Sequence, residues 1–350
     1  MPGARVTGLA HAVPPAVDHQ ALWDSFFRDH YRGDRRAERI WRSAGVRRRH
    51  AVAVPPELDV STWGTGARMR RYAAEAPPLG KEAVTAALDR AGLTPGEVGM
   101  LAVVSCTGYI TPGIDILLAR DLGMPDNVQR LLVGHMGCYA ALPGLGAASD
   151  FVVARGRPAV LLCVELPSLH IQPAPDRPLI HDDLEQAVAH ALFGDAAAAA
   201  VLDRGVGAGL DVVSVAARTE AAASDHMTWD VTDLGFRMGL SPRVPQVLAE
   251  HARPVVTELL AEHGLGIGDV AAWAVHPGGP RIVEVVGEQL GLSKSALQQS
   301  YQTLRDYGNC SSATVLLVLE RLTAGLRPGD PAVALAFGPG LTLYAALLVA

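Results

Sequence analysis

The chain predicts an α/β protein, a five-layer α/β/α/β/α sandwich built from two duplicated halves, residues 1–205 and 206–350. Two observations carry that prediction. The segment Leu93-Thr94-Pro95-Gly96-Glu97-Val98-Gly99-Met100-Leu101-Ala102-Val103 has a partner in Leu265-Gly266-Ile267-Gly268-Asp269-Val270-Ala271-Ala272-Trp273-Ala274-Val275, offset by 172 residues. A second pair, Pro158-Ala159-Val160-Leu161-Leu162-Cys163-Val164 and Pro331-Ala332-Val333-Ala334-Leu335-Ala336-Phe337, is offset by 173. Two pairs at nearly equal offsets mark an internal duplication.

Taken in order, each member of the first pair reads as a helix end, a turn and a buried strand. Each member of the second follows a small-residue helix, over roughly 138–155 and 311–326. Continuous apolar strands separated by helices imply sheets covered on both faces. Two such halves sharing a central helix layer make the five layers. The repeat places Cys138 at a helix start in the first half, and the corresponding start in the second half is 309–312. His276 ends a second-half strand. The pseudo-symmetry therefore predicts one central site fed by both halves.

Length and composition fit such a protein. The chain has 350 residues, 49% hydrophobic but only 5% aromatic, so its core must be mostly Ala, Val and Leu. A net charge of −6 argues against a general nucleic-acid surface. The N-terminal residues lack a signal peptide's charged start and apolar run, and Gly338-Pro339-Gly340 interrupts the stretch 331–350, the nearest approach to a membrane span. The four cysteines (106, 138, 163 and 310) have neither C-x-x-C nor zinc spacing. A cytoplasmic, reduced setting is expected, with no metal or redox cofactor and no membrane or nucleic-acid partner.

The chemistry-bearing candidates follow from local context. A helix starting at Cys138 aims free N–H groups and its positive dipole end at the sulfur, favouring thiolate. Gly137 permits a sharp turn there. The alternative is a small buried hydrophobe, a frequent fate of free cysteine. His276 stands before Pro277-Gly278-Gly279-Pro280, where strand pairing stops and a crevice opens. Asn309, in Tyr307-Gly308-Asn309-Cys310-Ser311-Ser312-Ala313, also suits a helix cap.

Taken together, the strings Gly-Cys-Tyr-Ala-Ala at 137–141, Ala-Leu-Phe-Gly-Asp-Ala-Ala-Ala-Ala at 191–199, His-Pro-Gly-Gly-Pro at 276–280, Tyr-Gly-Asn-Cys-Ser-Ser-Ala at 307–313 and Phe-Gly-Pro-Gly-Leu-Thr at 337–342 narrow the field. In that order they resemble the type III polyketide synthases, the chalcone-synthase-like members of the thiolase-fold condensing enzymes. The resemblance spans roughly residues 90–350. It implies a thiolase-like sandwich and a bacterial acyltransferase of secondary metabolism whose Cys138, His276 and Asn309 form the catalytic triad. Cys138 would accept an acyl group from a CoA starter. His276 and Asn309 would bind the malonyl-CoA thioester oxygen during decarboxylative condensation. Cyclisation to a pyrone, resorcinol or phloroglucinol-type product would follow.

The same resemblance implies further roles. Phe193 matches a gatekeeper between CoA tunnel and initiation cavity. Phe236 is the expected second gate by its local string, with Met238 favoured by counting back from Val244-Pro245. Cys106 and His170 stand where plant enzymes carry threonine, which puts a flavonoid product in doubt. Tyr139 and Ser311 complete the expected pocket, and Thr111 would line the partner's cavity in a homodimer. Arg42, Arg47 and Arg281 are the expected grips for the CoA phosphates, although an arginine-rich run such as 28–49 is by default a solvated face. A ketoacyl synthase using malonyl-carrier protein and a non-catalytic acyl-binding subunit are the competing readings. The first usually carries His-Gln-Ala-Asn where this chain has His276-Pro277-Gly278-Gly279.

Overall fold

The computed structural model describes residues 3–205 and 207–350. Val206, the first residue of the expected second half, lies outside the described residues. The strands are β1 Arg5–Ala12, β2 Ala16–Asp18, β3 Arg48–His50, β4 Met100–Ser105, β5 Gln129–Gly134, β6 Ala159–Glu165, β7 Ala196–Asp203, β8 Leu210–Thr219, β9 Met227–Thr232, β10 Gly235–Leu240, β11 Ala272–Val275, β12 Pro331–Gly338 and β13 Thr342–Val349. The helices are α1 His19–Leu22, α2 Arg28–His30, α3 Arg35–Ser43, α4 Thr65–Ala91, α5 Ile114–Leu122, α6 Ala141–Arg155, α7 His181–Leu192, α8 Val244–Ala261, α9 Pro280–Leu290, α10 Gln298–Tyr307 and α11 Ala313–Thr323.

The duplication appears directly in the sheet order, β11-β12-β13-β8-β1-β7-β6-β4-β5. Outward from β1 the pairings run antiparallel to β7, antiparallel to β6, then parallel to β4 and β5. Outward from β8 they run antiparallel to β13, antiparallel to β12, then parallel to β11. The two runs match strand for strand, and β5 has no counterpart. The half-sheets join where Arg5 and Val6 pair with Asp211 and Leu210, making nine strands continuous.

Alternation along each strand builds the layers, because successive side chains face opposite sides of a sheet. Ala102, Val104, Leu161, Cys163, Ala198 and Ala200 of the first half meet Ala274, Ala334, Ala336 and Ala346 of the second, with α6 and α11 between them. The opposite face of the first half-sheet, including Leu101, Val103, Val160 and Leu162, packs on α4. Val333, Leu335 and Phe337 pack outward on α8 and α9. The central layer is alanine-rich because the two half-sheets and two helices converge there. Each buried Val or Leu contributes about 1.5–3 kcal/mol.

Both repeats also turn by the same device. The Thr94 N–H donates to the Glu97 carboxylate and the Gly266 N–H to the Asp269 carboxylate, each at 2.8 Å, just before β4 and β11. One expectation needs adjusting. α6 begins at Ala141 rather than Cys138, because Ala140 and Leu142 donate tight three-residue bonds to Gly137 and Tyr139 (3.1 and 3.0 Å). Cys138 therefore opens a turn that leads into the helix.

Candidate active site

Cys138 lies between the end of β5 and the start of α6. Gly137 holds φ +82°, and a Cβ there would sit 2.6 Å from Pro339 Cδ, so only glycine fits. His276 follows β11 directly, and its N–H extends the β11–β12 ladder to the Leu335 carbonyl (2.8 Å). Asn309 is held by its backbone: its N–H donates to the Leu192 carbonyl (2.8 Å), and its own carbonyl accepts from Gly194 N–H (3.0 Å). Its amide oxygen accepts from Ser311 N–H (2.9 Å) and the Thr314 hydroxyl (3.4 Å). That occupancy fixes the flip of the amide and makes its NH2 the donor end, which makes one long bond to the Gly278 carbonyl (3.5 Å). All three side chains line one apolar cavity of about 650 Å³, together with Phe193, Met238 and Phe337.

Burial dominates the electrostatics. It pushes the Cys138 thiol up to about 12, while hydrogen bonds from Ser311 and Asn309 pull the other way. It pushes the His276 imidazole down to about 3, and both ring nitrogens are buried without a protein partner. Either charge alone is therefore costly at this depth of burial. The Cys138 thiol lies 3.7 Å from the Ser311 hydroxyl, 173 residues away. That separation equals the repeat offset, so the two residues are pseudo-symmetry mates meeting between the halves. Ser311 holds φ +49°, a strained value for a non-glycine residue.

Beside Cys138 lies a second, inner chamber of about 30 Å³, walled by Cys106, Thr107, Pro167, Phe193, Thr228, Trp229, Met238, Ser311 and Pro339 among others. Trp229 is locked there by its indole N–H, which donates to the Cys106 carbonyl (2.8 Å). Behind Cys106 sits the fully buried Glu165, whose pKa burial raises. It accepts from the Ser312 hydroxyl (2.6 Å), the Thr107 hydroxyl (2.7 Å) and Cys106 N–H (3.0 Å). The Cys106 sulfur lies 3.2 Å from the Ser311 hydroxyl.

The structure sorts the remaining expected site residues. Phe193 borders both chambers, as does Met238. Phe236 does not. It stacks on His170 (centroids 4.5 Å apart, 10° between planes) and borders a separate void of about 40 Å³, so of these two residues only Met238 lines the chambers beside Cys138. His170 likewise turns away from Cys138: one ring nitrogen bonds the Thr107 carbonyl (2.6 Å) and the other accepts from Phe236 N–H (2.9 Å). Tyr139 is a core residue stacked on Tyr344, not a pocket wall. Thr111 is exposed on a loop, with its hydroxyl bonded to the Tyr109 hydroxyl (3.2 Å).

The arginines divide in the same way. Arg281 borders the large cavity and pairs with Glu284 (2.7 Å). Arg42 pairs with Glu38 (2.7 Å) and lines a surface recess with Arg35, Arg39 and Ser43; Ser43 also borders the large cavity. Arg47 is exposed but borders neither the recess nor the cavity. Sequence reasoning missed Trp229, Met227 and Glu165. The alternation of Met227 and Trp229 was the available sign of a strand face pointing inward. Among the described residues, no group of three His, Cys, Asp or Glu side chains could hold a metal ion, and no helix is long and apolar enough to cross a membrane.

Comparison with known proteins accords with this geometry. Residues 3–208 match the N-terminal domain of chalcone and stilbene synthases and residues 212–350 the C-terminal domain. A 1,3,6,8-tetrahydroxynaphthalene synthase of Streptomyces peucetius subsp. caesius is 37% identical over 320 residues, 89% of this chain and 82% of that protein. An alpha-pyrone synthesis polyketide synthase-like protein of Mycobacterium tuberculosis is 33% identical over 286 residues, 79% of this chain and 71% of its own. The crystal structure of 1,3,6,8-tetrahydroxynaphthalene synthase from Streptomyces coelicolor, a bacterial type III polyketide synthase, superposes with a TM-score of 0.88 at 28% identity, covering 99% of both chains. With both family domains matched across nearly its whole length, the chain belongs to the chalcone and stilbene synthase family of type III polyketide synthases.

Proposed function

We propose that Cys138 is the nucleophile of this acyltransferase. The observation that carries the proposal is the shared cavity lined by Cys138, His276 and Asn309. The thiolate attacks a starter acyl-CoA carbonyl, CoA thiolate leaves with the proton of His276, and an acyl-Cys138 thioester forms. Malonyl-CoA then loses CO2. The negative charge developing on its thioester oxygen is met by the His276 N–H and the Asn309 NH2. The carbanion attacks the acyl carbonyl and expels the Cys138 thiolate, leaving a CoA thioester longer by two carbons. Thiol, imidazole and amide supply this chemistry, and CoA thioesters are substrates rather than cofactors.

Arg42 with its neighbours Arg35 and Arg39, and Arg281 at the start of α9, are proposed to hold the CoA phosphates at the cavity mouth. The exposed arginine recess that meets the cavity at Ser43 supports this. Arg47 is the weaker candidate because it borders neither opening. A homodimer along β5 is proposed from its edge position and the exposed Leu131 and Leu132, with the Thr111 loop nearby. A reducing, cytoplasmic setting suits the free Cys138 and the three further free cysteines. The cyclised product is proposed to be a pyrone, resorcinol or phloroglucinol-type compound.

Purified protein incubated with a panel of acyl-CoA starters and malonyl-CoA, then analysed by mass spectrometry, tests this reading. Products extended by two-carbon units support it. A strict requirement for malonyl-carrier protein would overturn it.

A further inference from the structure

Of the arginines at 28, 32, 35, 36, 39, 42, 47, 48 and 49, Arg49 alone is buried, at 5% exposure. We propose that Arg49 is a positioning residue for the condensation site: its guanidinium fixes the last turn of α7 and, through it, Asn309 and Phe193. The proposal rests on the reading of Asn309 given above.

A helix ends with carbonyls that lack partners and carry the negative end of the dipole. At the end of α7, one guanidinium nitrogen of Arg49 donates to the carbonyls of His190 (2.6 Å) and Phe193 (2.8 Å). The other donates to the Ala191 carbonyl (2.7 Å) and to Nδ1 of His19 (2.6 Å). The remaining carbonyl of that turn, Leu192, accepts from Asn309 N–H (2.8 Å), and Gly194 N–H returns a bond to the Asn309 carbonyl (3.0 Å). Arg49 thus occupies three neighbouring carbonyls while the fourth binds Asn309. Phe193, which borders both chambers, lies inside the same clamp.

The clamp is rigid on its other side. His19 Nε2–H donates to the Trp41 carbonyl (3.0 Å), which fixes the tautomer and leaves Nδ1 as the acceptor for Arg49. The guanidinium lies over the Trp41 ring, 5.0 Å from its centroid. Gly308 leaves no slack, since a Cβ there would sit 2.6 Å from the Leu192 carbonyl. A lysine has three donors on one atom and cannot span this planar set of acceptors. Cys138 approaches from the turn between β5 and α6, which the clamp does not touch.

The test uses the full chain with Arg49→Lys and Arg49→Gln, and Arg48→Gln as the exposed control on the same strand. Two rates are read, malonyl-CoA decarboxylation and iodoacetamide alkylation of Cys138 across pH, and the thermal unfolding midpoint checks that each variant is folded. We expect Arg49→Gln to lower kcat for decarboxylation by about tenfold or more, with KM within about threefold and an unchanged Cys138 alkylation profile. Arg49→Lys should recover part of the loss while remaining folded. Decarboxylation at the wild-type rate in either folded variant would overturn the proposal. So would a loss of decarboxylation matched by an equal loss of Cys138 alkylation, the pattern of general loosening. If Asn309→Ala decarboxylates as fast as wild type, the reading of Asn309 fails instead, and that result is separable from the Arg49 outcome.

Discussion

At the scale of single residues, the proposed chemistry turns on two groups that burial holds neutral when each is taken alone. Burial raises the Cys138 thiol to about 12 and lowers the His276 imidazole to about 3. In the proposed ion pair an imidazolium beside the sulfur favours thiolate, so the site should ionise below the ordinary thiol value of about 8.5. Removing the imidazole leaves burial as the largest influence, which moves the thiol above that value. Iodoacetamide alkylation of the wild type should therefore persist below about pH 7, whereas His276→Ala should shift its midpoint alkaline by at least about one unit. Coincident profiles would mean that His276 does not stabilise the thiolate.

Much of this level was legible in the chain, because Cys138, His276 and Asn309 sit in turns whose glycines and polar residues have few structural substitutes. Arg49 was not separable from its neighbours. Nothing in an arginine-rich run says which member of a short strand faces inward, and here Arg48 faces out and Arg49 in.

At the scale of elements, the hairpin of β9 and β10 sets the size of the inner chamber. Met238 pairs with Trp229 and Phe236 with Val231 across this hairpin. Phe236 and Met238 lie two residues apart and thus share one face of β10, so alternation could not distinguish them as gates. Their positions along the strand differ, and of the two only Met238 reaches Cys138's cavities. Trp229, with Pro167 and Phe193, walls both the chamber of about 30 Å³ and the void of about 40 Å³ behind it. Trp229→Ala should merge them. The expected result is a shift towards longer chains or bulkier starters, by about tenfold in their ratio to the wild-type product. The KM for malonyl-CoA should stay within about threefold. An unchanged product profile would show that the chain grows elsewhere, in the large apolar cavity.

At the scale of the whole molecule, the duplication explains why residues so distant in sequence share one site. The matched pairing runs from β1 and β8 place the turn before α6 opposite the turn before α11, and Cys138 meets Ser311 across them. The repeat offset forecast this convergence. The two-residue join between β1 and β8 was not visible, because strand edges leave no mark in hydrophobic pattern alone. The opposite edge, β5, exposes Leu132 at 47% with Tyr109 at 62% and Ile116 at 42% nearby. Such an edge invites pairing with a second copy. Leu132→Glu should shift sedimentation from dimer to monomer at micromolar concentration; a wild-type protein that sediments as a monomer would contradict the proposed assembly.

The central claim is that this convergence creates an acyl carrier at Cys138. The intact mass of the protein after brief exposure to a starter acyl-CoA, without malonyl-CoA, tests it most directly. The account predicts a gain of one acyl group per chain, mapped by peptide mass to Cys138, lost in Cys138→Ala and retained in Asn309→Ala. An acyl adduct of equal yield in Cys138→Ala would contradict it.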